Sequence, residues 1–73
     1  MTTSEDARQR HRTAATMHAT AQQLEEAEDT LHRSAQRSPD SETRRRLDDL
    51  GDAVTAEARH IDDRADRITG PSV

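Results

Sequence analysis

Between His11 and Ser38 the chain divides into four seven-residue units: His11 to Met17, His18 to Leu24, Glu25 to Leu31 and His32 to Ser38. Three open on His, three carry Ala at the fourth place (Ala14, Ala21, Ala35), and three close on Met17, Leu24 or Leu31. Residues recurring three and four apart share one face of a helix, so the pattern predicts a long helix over about 5–37. In heptad terms Ala7, Ala14, Ala21, Glu28 and Ala35 fall at position a, and Met17, Leu24 and Leu31 at d. Small residues at a beside larger ones at d favour close approach of a second helix. A second stripe, Leu47, Leu50, Val54, Ala58, Ile61, Ala65 and Ile68, keeps to one face of a helix over about 40–69 and is the more hydrophobic of the two.

The boundaries carry their own signals. Thr3 or Ser4 is the expected cap of the first helix, with Glu5 and Asp6 in its first turn, where carboxylates complement the helix dipole. Pro39 drives Ser38 out of the α region, and Asp40 with Glu42 favours a new start, so a short turn is expected at about 38–40. Gly70-Pro71 is a stop signal that leaves a frayed tail at 70–73.

A connection this short forces the helices antiparallel. Residues whose numbers sum to about 78 then lie level, which places Leu31 beside Leu47, Leu24 near Val54, Met17 near Ile61, and Ala7 or Arg10 near Ile68. The expected fold is all-α, a single two-helix hairpin over residues 1–73. Each stripe is about two residues wide, so a lone hairpin leaves one side of it wet. Two hairpins packed face to face, a homodimeric four-helix bundle, would cover Met17, Ala21, Leu24, Leu31, Leu47, Leu50, Val54, Ile61 and Ile68.

Composition strengthens the case for association. Only 29% of the 73 residues are apolar; eleven of those are Ala, and there is no aromatic and no Cys. Eight large apolar residues lie within the helices, and burying all of them gains at most ~12–24 kcal/mol. Scaffolds this small usually add a disulfide, a metal or a partner, and a disulfide is impossible here. The composition also borders on that of disordered chains, which leaves folding on another protein as a further possibility. No apolar run reaches the length of a membrane span or a signal segment, so the expectation is a cytoplasmic protein with no membrane contact. The net charge of −4 divides as −1 before Pro39 and −3 from Pro39 onward, so neither half carries the positive excess that phosphate backbones attract, and nucleic acid is an unexpected partner.

The residues that could carry chemistry are few. His11, His18 and His32 all fall at position e, beside the seam. Seven residues span about 10.5 Å of helix, too far for two of them to share one ion. The antiparallel register brings His60 near His18, with Glu57 one turn before it. Glu57-Ala58-Arg59-His60 has the Glu-x-x-His spacing of ferritin-like di-iron bundles and over those four residues resembles them. The two-helix encapsulated ferritins are similar, building an iron site across a dimer from one Glu of the first helix and a Glu-x-x-His of the second. That resemblance implies an iron or zinc site on His18, Glu57 and His60, with Glu25 or Glu28 as auxiliary. The register strains it, because Glu28 falls about two turns from Glu57 and Glu25 about one. The competing reading makes the histidines seam-flanking side chains with polar tips in solvent, needing no cofactor.

Glu28 is a charge at a seam position, which reads as a polar residue that sets register, with Arg46 the expected partner from the other helix. Arg44-Arg45-Arg46 is the one basic run. Its acidic neighbours four away (Glu42 with Arg46, Arg44 with Asp48, Arg45 with Asp49), and likewise Arg59 with Asp63 and Asp63 with Arg67, describe a solvated face of weak ion pairs. Enzyme signatures are missing: there is no Cys nucleophile, no Gly-rich phosphate loop and no Ser-His-Asp set that two helices could enclose. As a whole the chain resembles, loosely, the short heptad-patterned proteins rich in Ala, Arg, Glu and His of high-GC bacteria. That likeness implies a helical hairpin without an assigned activity. The reading reached is a self-associating structural or protein-interaction module, with a metal-binding bundle as the alternative.

Overall fold

The computed structural model describes residues 3–69. Helix α1 spans Thr3–Arg37 and helix α2 spans Ser41–Thr69, and the two pack against each other as an antiparallel hairpin. Neither Gly nor Pro interrupts α1, and its a-face alanines combine high helix propensity with small size. Helix α1 begins a residue or two ahead of expectation, so Thr3 and Ser4 are themselves helical. The stop signal at Gly70-Pro71 and the tail lie outside the described residues.

The turn is held by hydrogen bonds the sequence foreshadows. The Ser38 amide donates to the Ala35 carbonyl at 3.1 Å, closing α1, and an Arg44 guanidinium N–H donates to the Ser38 carbonyl at 3.2 Å. Asp40 caps α2: its Oδ2 accepts from the Thr43 amide at 3.1 Å and from the Thr43 hydroxyl at 2.7 Å. Those bonds stabilise the ionised carboxylate and hold its pKa below the usual carboxylate range.

The seam consists of small residues alone. Ala14, Ala21 and Ala35 of α1 and Gly51, Ala58 and Ala65 of α2 are buried, and no large side chain is fully buried among the described residues. On a helix positions d and e flank position a at about 50° on either side. The closest approach therefore runs along a, with d half-buried on one flank and e on the other. His32 (e) meets Asp48 and His18 (e) meets Asp62, so the two e rows face each other across one flank. The two d rows, Met17, Leu24 and Leu31 with Leu47, Val54, Ile61 and Ile68, consequently line the opposite flank, all half-buried.

Both histidine pairs have numbers summing to 80, as e positions do in a phase whose a layers sum to 79 and whose d pairs sum to the expected 78. The expected α2 stripe is corrected at one place. Leu50 is 53% exposed, and Gly51, seven before Ala58, takes the seam position. Glycine carries no hydrophobic signal, so a pattern of apolar residues reads the neighbouring leucine in its place.

Candidate functional site

Two surfaces follow from a seam centred on position a. The polar flank carries the two imidazoles. His32 Nδ1 lies 2.8 Å from Asp48 Oδ1, while its Nε2 stands 3.5 Å from Glu28 Oε2 and 3.7 Å from Asp52 Oδ1. His18 repeats the arrangement, with Nδ1 2.8 Å from Asp62 Oδ1 and Nε2 3.4 Å from Asp66 Oδ1. The hydrogen bond to Asp48, together with the charges of Asp48, Glu28 and Asp52, raises the pKa of His32 above the ordinary histidine value against a smaller opposing effect of desolvation.

The repetition is written in the chain with a 14-residue period. Thr16-Met17-His18-Ala19-Thr20-Ala21-Gln22 matches Thr30-Leu31-His32-Arg33-Ser34-Ala35-Gln36, and Leu47-Asp48-Asp49-Leu50-Gly51-Asp52 matches Ile61-Asp62-Asp63-Arg64-Ala65-Asp66. Folding back antiparallel brings the first unit of α1 to the second of α2, and the reverse. Thr16 and Thr30 even make the same hydroxyl bond to the carbonyl four residues back, both at 3.2 Å. A search of the sequence at two heptads would have found these acidic partners; a search at one heptad finds only the histidines.

The two copies differ in one respect. The heptad phase puts Glu28 level with Gly51, where the layers Ala14 with Ala65 and Ala21 with Ala58 pair Ala with Ala. A Cβ built on Gly51 would fall 2.8 Å from His32 Nε2 and 2.9 Å from its Cε1, so the imidazole lies against the glycine backbone. Glycine thus makes room for a layer in which Glu28, half-buried at the seam, is met by His32. Arg46, the partner expected for Glu28, bonds Glu42 instead at 2.8 Å. Of the five expected ladder pairs along α2, Glu42 with Arg46 is the one that forms among the described residues, since Asp48 is drawn to His32 and Arg44 to the turn.

The residues read as metal ligands do not converge. His18 is engaged by Asp62 and Asp66 on the polar flank, whereas Glu57 and His60 occupy exposed g and c positions around the other side of α2. Among the described residues no group of three or more His, Asp or Glu is disposed to hold a metal ion. The cause is the a-centred contact, which turns the e row of α1 toward the e row of α2.

The second surface is the d flank. Its most exposed apolar member is Leu50 at position g of α2; at the opposite edge the c and g positions of α1 from Gln9 to Ser34 (Gln9, Thr13, Thr16, Thr20, Gln23, Ala27, Thr30, Ser34) bear no charge in a chain that is 36% charged, whereas those of α2 include Arg46, Glu57, Arg64 and Arg67. The acids Asp48, Asp52, Asp62 and Asp66 sit on the other flank. No helix among the described residues is long and apolar enough to cross a membrane. No protein-family model, curated protein or solved structure matches the chain.

Proposed function

We propose that the protein is a self-associating structural module whose hairpins pair through their d flanks into a four-helix bundle. The observation that carries this reading is that all seven d-row apolar side chains and Leu50 lie along one flank, and not one is fully buried. Full burial of such a side chain is worth roughly 1.5–3 kcal/mol. A hairpin alone realises part of that for each of the seven and little for Leu50, leaving several kcal/mol to a partner that covers the face.

Size and charge favour a second copy as that partner. The Cα extents are 58 × 19 × 13 Å, so the broad face has a projected area of about 1,100 Å², against roughly 800 Å² per partner in a standard stable interface. The uncharged edge of α1 lets two copies approach along α1, while their acidic flanks point away from each other. A two-fold pairing of identical patches also closes, which limits the assembly to a dimer.

The test is the mass of wild type and of Leu50→Asp by size-exclusion chromatography with light scattering. The reading requires a wild-type dimer and a variant shifted toward monomer. Leu50 is exposed in the hairpin, so its replacement strikes the face without entering the seam. A helical monomeric wild type at tens of micromolar would overturn the reading.

A further inference from the structure

We infer that the imidazole of His32, set among Asp48, Glu28 and Asp52 on the polar flank, makes the hairpin proton-responsive, tighter below neutrality and looser above it. This goes beyond self-association and does not depend on it, because the His32 cluster lies within one chain.

The geometry around His32 favours protons on both ring nitrogens. A neutral imidazole has one N–H to give. At His32 the short contact assigns it to Nδ1, which donates to Asp48, and the Nε2 lone pair is then left facing Glu28 Oε2 at 3.5 Å and Asp52 Oδ1 at 3.7 Å. Protonation converts each of these repulsions into a charge-assisted contact. The groups facing His32 are Glu28 from its own helix and Asp48 and Asp52 from α2. Among the described residues no arginine lies within ion-pair distance of these three carboxylates, so the imidazolium is the cation that offsets their mutual repulsion.

The sign follows from linkage. A histidine whose pKa is higher in the folded than in the unfolded chain contributes stability that is fully present below its unfolded value and is lost as pH rises through the folded one. The raised pKa of His32 agrees with that direction. The responsive window therefore opens near the ordinary histidine value of about 6.5 and extends upward from it.

Two readouts test the inference at one fixed protein concentration. In the wild type, NMR titration is expected to show His32 deprotonating above the ordinary histidine value of about 6.5. Thermal melts from pH 5.5 to 8 are expected to show a falling Tm that is flattened in His32→Gln and retained in His11→Gln/His60→Gln, the control for general charge repulsion. Gln keeps a donor and removes the titration. His32 deprotonating at or below the ordinary value, or an equal fall of Tm in the two variants, would overturn the inference. Should His32→Gln fail to fold, the wild-type titration decides alone.

Discussion

Gly51→Ala sets two effects of known direction against each other at the glycine of the seam. In the interior of a helix Ala is favoured over Gly by roughly 0.8–1.0 kcal/mol. For a domain of this size that converts to a rise in Tm of roughly 4–8 °C. The new methyl, however, would stand 2.8 Å from His32 Nε2, 2.9 Å from Cε1 and 3.2 Å from Cδ2, all inside ordinary van der Waals contact. The imidazole must withdraw by the better part of an ångström, which breaks the alignment of its 2.8 Å contact with Asp48 and uncovers Glu28. The gain should therefore appear nearly whole in a His32→Ala background, where nothing opposes the methyl, and be cut sharply in the wild type. A thermal or chemical double-mutant cycle on wild type, Gly51→Ala, His32→Ala and the pair isolates this coupling from the propensity term. Equal stabilisation by Gly51→Ala in both backgrounds would refute the idea that glycine is placed here to seat the imidazole.

Three further outcomes follow from the same packing. Ala58 has no exposed surface in the seam, so Ala58→Leu should overpack the closest approach and cost about 1–3 kcal/mol by urea unfolding; a neutral or stabilising result would show that the seam is loose. Asp40→Ala should lower helicity and Tm at neutral pH by uncapping the Thr43 amide. Because the pKa of Asp40 is depressed, that contribution is present above the ordinary carboxylate value and fades as pH falls through the folded one, so wild type and variant should converge in acid; a difference that persists there would contradict the assignment. Treatment with a chelator should leave Tm and mass unchanged, and a drop in either would revive ligands on His18, Glu57 and His60.

Both helices, their antiparallel pairing and the turn were legible because heptad spacing, Pro39 and Asp40 are local signals that tertiary packing did not override. What escaped was the orientation of the contact. A stripe of apolar residues places the seam midway between a and d, whereas the helices approach along a alone, where Ala and Gly let the backbones come closest. That rotation by part of a turn moves Leu50 to the surface, exchanges it for Gly51, and turns the histidines from the Glu57 and His60 side to the aspartates. Glu28 was legible as an anomaly, since a charge among alanines stands out; its compensation was not, because Gly51 and His32 reach it from different helices and carry no apolar mark.

The measurement that bears most directly on the account is sedimentation equilibrium with parallel circular dichroism over a wide concentration range. A d flank covered by a second copy predicts twice the chain mass of 8.2 kDa, with helicity falling as dilution releases monomer. A species of 8.2 kDa that stays fully helical at every concentration would show that the alanine seam holds the hairpin without its apolar flank, and would contradict the account.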